Sequence, residues 1–458
     1  MNTYPINSSI NDQIQFQDII FPSLNTKKQL SPKILEIIDT FNNILFDDHL
    51  ILSHIQKVFL GTRLDYLHQL TNIYKSLHNS GQIGNFQTQS RYNKIDLLEF
   101  AVGSIENCLG DDYKIRKNKL TPRIPNGDLL LMDRIITISK ERHKFIQGLN
   151  VVAEYDVPQD AWFYVENAYP YLPYSAMMEI ALQPCGFLSA HLGTALIYPE
   201  QDYIFRNLDG MGELIKEIDV RGKVVTNRAF LISSIVSGKT IIQKFSFELS
   251  SNGIIFYSGN STFGYFPPSS METQLGIKDD QPRLNKMDIF KNSYPISELI
   301  SNEYPDKPYY KISKGHLNLL DQISIQNGQG KYKKGLINAV KKIDLSQWFF
   351  KNHFFMDPVM PGSLGVEASI QALQIFAIHN NLGNHLNSPR FGLVVNQKLN
   401  WIYRGQITPE NKEMEVDVHV VEIIDNGSWL QINGEAKVYV DNIYIYSINN
   451  IAIQILEG

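Results

Sequence analysis

The chain has 458 residues, 43% hydrophobic and 19% charged, so it can build a folded core and is not a polar chain that stays disordered. Its length allows about three domains of ~150 residues. Its 42 basic and 47 acidic residues give a net charge of −5, which excludes a generally basic nucleic-acid binder.

In chain order, the start Met1-Asn-Thr-Tyr-Pro-Ile-Asn7 has neither the basic flank nor the apolar stretch of a secretory signal. Residues 2–30 and 77–92 are rich in Asn, Gln and Ser and read as loops. Between them, Leu35 to Lys75 spaces Ile, Leu and Phe at helical intervals. It reads as a helical linker or cap, with a docking or dimer helix as the other reading. Residues 1–115 are therefore expected to form a mainly helical N-terminal extension. No apolar run approaches the ~18 residues of a membrane-spanning helix, and none is expected. The two cysteines, Cys108 and Cys185, cannot make a disulfide framework and leave no CxxC spacing for zinc. A soluble, cytoplasmic protein is the expectation.

From residue 116 onward four landmarks occur twice in the same order. Leu131-Met-Asp-Arg-Ile135 is matched by Leu319-Leu-Asp-Gln-Ile323, and Trp162-Phe-Tyr-Val-Glu-Asn167 by Trp348-Phe-Phe-Lys-Asn-His353. Arg221-Gly222 is matched by Arg404-Gly405, and Phe256-Tyr-Ser258 by Ile445-Tyr-Ser447. The order predicts a duplicated domain at 116–268 and 308–458, joined by a linker at 269–307.

Each copy reads alike. In copy two, Leu364 to His379 is apolar on most faces, as a buried helix is. Glu415–Val421 and Lys437–Val440 alternate with period two, as strands do. In copy one, Lys244–Leu249 and Gly253–Tyr257 read as a hairpin turning through Ser250-Ser-Asn-Gly253. The fold class is α+β, one buried helix per copy with an antiparallel sheet wrapped on it. Pro184 falls inside the copy-one helix and should kink or end it. Copy two has Ala372 there, so the two helices are expected to differ.

The densest chemistry lies in His353-Phe-Phe-Met-Asp-Pro-Val-Met-Pro-Gly-Ser-Leu-Gly-Val-Glu367. This order predicts an imidazole at a strand end, a Pro-rich turn, a helix start and a carboxylate on the first helical turns. Gly362 lets a ligand approach the backbone, and Ser363 suits a helix cap. Exposed N–H groups at a helix start favour a developing oxyanion. A base, an acid and such donors are the parts for proton abstraction beside a carbonyl. Copy one has Asn167 in place of His353, and its turn is two residues shorter. It keeps Glu179 and Gln183 at the spacing of Glu367 and Gln371. Residues i and i+4 share a helix face, so each Gln can orient its Glu or hold a water beside it. No GxGxxG or zinc spacing suggests a nicotinamide or a metal. Cys185 reads as a core cysteine.

The segment Trp348 to Gln371 resembles the active-site stretch of the hotdog-fold β-hydroxyacyl-(acyl carrier protein) dehydratases. In that family a His, an Asp-Pro-Val-Met-Pro-Gly turn and a carboxylate fourteen residues after the His recur in this order. Trp401 to Ile407 is similar to a later strand of the family. Pro173 to Leu188 is similar to the first of the paired dehydratase domains of polyunsaturated fatty acid synthases, and Asp96 to Gly110 to the run before them. The resemblance covers about residues 95–458. It implies a double hotdog with active sites between the two, drawing the His from one and the carboxylate from the other. On that pattern His353 pairs with Glu179 in a working site, and Asn167 with Glu367 in a vestigial one. The Gly362 N–H would hold the thioester oxygen, with Gln183 and Gln371 in support.

The implied reaction is dehydration of a 3-hydroxyacyl thioester, carried on the phosphopantetheine of acyl carrier protein, to the 2-enoyl thioester in fatty acid or polyketide synthesis. His353 takes the C2 proton and a protonated Glu179 gives one to the departing hydroxyl. No metal or other cofactor is implied. Partners are acyl carrier protein and other synthase components, and the chain is a monomer or homodimer. Lys331, Lys333, Lys334, Lys341 and Lys342 either face an acidic carrier or simply solvate a surface. Glu at both carboxylate positions leans toward dehydration alone, whereas the Asp357–Gly362 turn resembles the branch that also isomerises the double bond, so isomerisation stays open. A hotdog thioesterase, which would not need His353, and a non-catalytic acyl-chain binder are the other readings.

Overall fold

Alternating sequence makes half-buried strands, and in the computed structural model fourteen strands among the described residues join edge to edge in one antiparallel sheet. The structure describes residues 90–271, 275–279, 293–301 and 310–458, all in the unit spanning Gly61–Gly458. The helical spacing at Leu35–Lys75 and the loops at 2–30 and 77–89 lie outside the described residues. The first half contributes β1 (Arg134–Ile138), β2 (Asn150–Asp156), β3 (Ile204–Leu214), β4 (Val224–Ser237), β5 (Thr240–Ser251) and β6 (Ile254–Phe266). The second contributes β7 (Tyr294–Pro295), β8 (Gln322–Asn327), β9 (Gly335–Lys342), β10 (Pro389–Leu393), β11 (Lys398–Tyr403), β12 (Glu413–Asp425), β13 (Trp429–Val440) and β14 (Ile443–Glu457). The helices are α1 (Lys94–Ala101), α2 (Ile105–Leu109), α3 (Trp162–Val165), α4 (Tyr174–His191), α5 (Ile296–Ser301), α6 (Trp348–Asn352) and α7 (Gly362–His379).

The strand order is β1-β2-β4-β5-β6-β3 and then β11-β14-β13-β12-β9-β8-β7, with β10 also on β14. The second half thus repeats the first in reverse across the β3–β11 seam. One row of paired residues proves the repeat. Ile135, Ala153, Asn227, Leu249, Tyr257 and Leu214 pair in sequence across the first half. Ile323, Ala339, Val416, Val438, Tyr446 and Tyr403 do so across the second. The first and fourth landmarks, 131–135/319–323 and Tyr257/Tyr446, stand on this row. The Arg221/Arg404 landmark does not belong to the repeat. Leu214 lies seven residues before Arg221, whereas its counterpart Tyr403 lies immediately before Arg404.

Each half is a hotdog, its sheet curved round one buried helix, and the chain is a double hotdog. Every residue of α7 from Ser363 to Ile378 is buried, and so is all of α4 except Leu182 and Gly186. A helix apolar on every side has to be enclosed, and α4 and α7 also pack on each other. The β5–β6 hairpin turns through Asn252 and Gly253 at φ 50° and 77°, the positive-φ pair that a two-residue turn demands.

Of the two outcomes expected at Pro184, a kink or an end, the helix does not end; α4 and α7 both run 18 residues. Proline costs a helix the bond to the carbonyl four residues back, here that of Ile180. The buried Asn227 of β4 supplies the replacement, its Nδ2 donating to Ile180 O at 2.8 Å and Ala181 O at 2.9 Å. The corresponding pair in the second half is Ala372 and Val416, a helix that needs no patch beside a strand that offers none.

The segment before β1 packs on the first half. Tyr92 is buried, bridges Ile135 and shares a 3.0 Å hydrogen bond with His191 Nδ1 at the end of α4. Phe100 of α1 meets Phe187 edge to face, and Lys94 pairs with Asp133 at 2.7 Å. Among the described residues no helix is long and apolar enough to cross a membrane.

Candidate active site

The seam brings each helix start against the opposite helix. Ser363, second residue of α7, donates from Oγ to Glu179 Oε1 of α4 at 2.7 Å. At the matching place Ser175, second residue of α4, donates its N–H to Glu367 Oε2 of α7 at 3.1 Å. Neither carboxylate faces the turn of its own half.

At the first junction His353, Gly362, Ser363 and Tyr403 from one half and Glu179, Gln183 and Arg206 from the other line a cavity holding ≈ 100 Å³ of water-accessible space. Glu367 is not among its walls. His353 follows α6 and not, as its sequence context predicts, a strand end: β9 stops at Lys342, and Trp348–Asn352 form one more helical turn. Its Nδ1 lies 2.9 Å from Val359 O. A carbonyl can only accept, so this bond puts the proton of the neutral ring on Nδ1 and leaves the Nε2 lone pair free. Burial pushes the imidazole down to about 4, helped by the Arg206 charge and opposed by the Val359 bond.

The turn holding Val359 is clamped from β3. Arg206 grips Asp357 with two 2.6 Å bonds and reaches Gln406 Oε1 at 2.6 Å with its Nε. A planar guanidinium matches a carboxylate in this two-pronged way. Sequence reasoning missed Arg206. Asp357, within the turn and needing a cationic partner, was a signal for some such residue but not for which one.

Burial raises the Glu179 carboxyl above its ordinary value, against the opposing pull of the Ser363 and Gln183 donors. Gln183 Nε2 donates to Glu179 Oε2 at 3.3 Å and to Leu129 O at 2.7 Å, and its Oε1 accepts from Leu131 N at 3.1 Å. Three bonds fix the amide, one of them to Glu179. Gln371 makes the equivalent bond, to Leu317 O at 2.9 Å, but does not orient Glu367. Ser363 is not a helix cap. The N-cap is Pro361, and Ser363, already inside the helix, spends its hydroxyl on Glu179. Gly362 opens α7, where backbone N–H groups have no helical acceptor. A Cβ at Gly362 would sit 2.5 Å from the Tyr403 ring, so only glycine fits.

The second junction has the same frame and other chemistry. Asn167 Nδ2 donates to Tyr171 O at 2.9 Å, copying the His353–Val359 bond across a turn two residues shorter. An amide is no base. Tyr174 and Leu214 stand where Gly362 and Tyr403 stand in the first site. Glu367 is fully buried, and burial pushes its carboxyl up to about 7, opposed by the Ser175 donor.

Away from these sites, Cys185 is a buried core thiol, pushed up by burial. Lys331 and Lys341 of the basic cluster are held by Glu435 at 2.9 Å and Asp321 at 2.8 Å. Among the described residues no three His, Cys, Asp or Glu side chains converge as a metal site would require.

Residues 312–449 match the FabA-like domain family. The chain is 31% identical over 388 residues to one of the subunits of the polyunsaturated fatty acid synthase of Thraustochytrium sp., an alignment that takes in 79% of this chain and 26% of that protein. It therefore spans about a quarter of that relative's length. Among solved structures, the dehydratase domain from the CurJ module of curacin polyketide synthase aligns at 10% identity with a TM-score of 0.41, covering 72% of this chain and 98% of that one. A protein described as an oleoyl thioesterase of Lactobacillus plantarum aligns at 9% identity with a TM-score of 0.40, covering 68% and 97%. The second half thus carries a FabA-like hotdog domain. Over 79% of its length the chain is homologous to part of a polyunsaturated fatty acid synthase subunit.

Proposed function

We propose that the chain dehydrates a 3-hydroxyacyl thioester, presented on the phosphopantetheine of an acyl carrier protein, to the 2-enoyl thioester. Acyl carrier protein and other synthase components are its proposed partners, as suits a homologue of a synthase subunit. The observation that carries this reading is a neutral imidazole and a buried carboxyl lining one cavity from opposite halves.

The thioester oxygen accepts from the Gly362 N–H, which acidifies C2. His353 Nε2 removes the C2 proton, and the C2–H electron pair becomes the C2–C3 double bond. The C3–O bond breaks with its pair, and Glu179 delivers its proton to that oxygen, so water leaves. A carboxyl near ~4.3 would be ionised at neutral pH, and burial keeps Glu179 a usable acid. Ser363 and Gln183 each take one of its oxygens and aim the group. Transfer of the proton from His353 back to Glu179 resets the site.

The test uses a 3-hydroxyacyl carrier-protein substrate with product mass as the readout, and nuclear magnetic resonance to locate the double bond and decide isomerisation. His353→Ala and Glu179→Gln should each lower turnover by ~10²–10⁴, and Glu367→Gln should leave most of it. Thiol release that survives His353→Ala would establish a thioesterase. Loss of activity in Glu367→Gln alone would overturn the pairing of His353 with Glu179.

A further inference from the structure

We infer that the Tyr403 hydroxyl is a second hydrogen-bond donor to the thioester oxygen, standing beside the Gly362 N–H; this rests on the dehydratase reading above. Tyr403 is 5% exposed and lines the cavity with His353 and Glu179. Its hydroxyl has no hydrogen-bond partner. A buried hydroxyl left unpaired costs about 1–3 kcal/mol, so such a group on a residue that lines a cavity points to a bound oxygen that completes it.

Place and chemistry agree on which oxygen. The hydroxyl lies 3.0 Å from where a Gly362 Cβ would be, so it borders the backbone donor at the start of α7. The ring is held by Gly362 on one side and tilts on Tyr446 at 4.4 Å on the other, which fixes its direction before any ligand arrives. Burial, with Tyr446 and Glu179 nearby, raises the phenol well above its ordinary value, so it remains an O–H donor at neutral pH. The sheet register supplies an independent comparison. Tyr403 faces Tyr446 as Leu214 faces Tyr257, so the half with Asn167 in place of the imidazole also has no hydroxyl here. The neighbouring tyrosine, Tyr446 or Tyr257, is common to both halves. At this row position the phenol stands in the half that carries the imidazole, as it would if both served one reaction.

During proton abstraction the electron pair released from C2–H spreads onto the thioester oxygen. Two donors there, N–H and O–H, stabilise that charge without receiving or losing a proton themselves.

The test is Tyr403→Phe, which keeps the ring and deletes the donor, measured in two assays. The first is dehydration of the 3-hydroxyacyl thioester. The second is exchange of the C2 hydrogen for deuterium in an acyl thioester lacking the 3-hydroxyl. Both should fall by ~10² or more, with KM changed little. Loss of dehydration with exchange intact would assign the phenol to the departing hydroxyl and overturn the inference, as would two unchanged rates. A wild-type chain that dehydrates nothing would instead defeat the functional reading, and the inference with it. Against misfolding, 3-fluorotyrosine placed at 403 keeps the hydroxyl and strengthens it as a donor. It should lower the carbonyl stretching frequency of a bound, carbon-13-labelled acyl thioester, and an unmoved band would refute the contact.

Discussion

Asn227→Val tests how an 18-residue helix tolerates an internal proline. The side-chain amide of Asn227 is the stand-in donor for the Ile180 carbonyl, at 2.8 Å, and also reaches Ala181 O at 2.9 Å. Valine keeps the bulk and removes both bonds. With Pro184 present, the Ile180 carbonyl then has neither backbone nor side-chain donor. A buried carbonyl left this way costs about 1–3 kcal/mol. Part of that is returned, because Asn227 Oδ1 is itself buried without a partner. A net loss of about 1–2 kcal/mol is expected. Pro184→Ala restores the N–H, so in that background Asn227→Val should cost close to nothing. The double variant reproduces the Ala372/Val416 pair of the other half. The assay is a double-mutant cycle from urea midpoints at fixed slope, and the expected coupling is about 1–2 kcal/mol. An equal cost of Asn227→Val in both backgrounds would refute the reasoning, since it would mean that the amide does not substitute for the missing N–H.

The other predictions concern protons. Glu367 holds its proton up to about 7 in the folded chain, against an ordinary 4.5. Between those values the folded state binds a proton that the unfolded state has released, so this group lowers stability as pH rises through the window, by roughly 3 kcal/mol in all. Glu367→Gln should remove that fall, gaining stability at pH ~8 relative to pH ~5, and an unchanged pH slope would show the carboxyl to be ionised already. On the proposed mechanism, turnover needs His353 neutral and Glu179 protonated. The acid limb of kcat/KM should therefore lie near about 4, where the imidazole titrates. The alkaline limb should lie above the ordinary carboxyl range, where Glu179 ionises. An acid limb at the ordinary histidine value of 6.5 would contradict the burial of the ring.

Much of this was legible in the sequence, for reasons that differ by element. The α7 segment and the strands after it declare themselves by apolar periodicity, and the hairpin at Asn252-Gly253 by its turn residues. The duplication is written in Ile135/Ile323 and Tyr257/Tyr446, because residues on one sheet row are constrained together. The Arg221/Arg404 match misled, since a two-residue coincidence carries no register. That α4 continues past Pro184 was not legible, because its compensation lies on a strand, 43 positions away at Asn227. Arg206 and Tyr403 were not found for a similar reason. What makes them matter is a partner across the seam or the turn, Asp357 for one and Gly362 for the other, and no local pattern states that.

In a symmetric pair of identical protomers, one gene writes both clefts, and every substitution appears twice. Joining the halves in one polypeptide lifts that bond between them. On the proposed function, the half bearing Asn167, Tyr174 and Leu214 answers there only to packing and solubility, while its Glu179, Gln183 and Arg206 stay accountable to the cleft they share with His353. On that reading, tandem fusion lets a single surface serve as scaffold in one place and reagent in another.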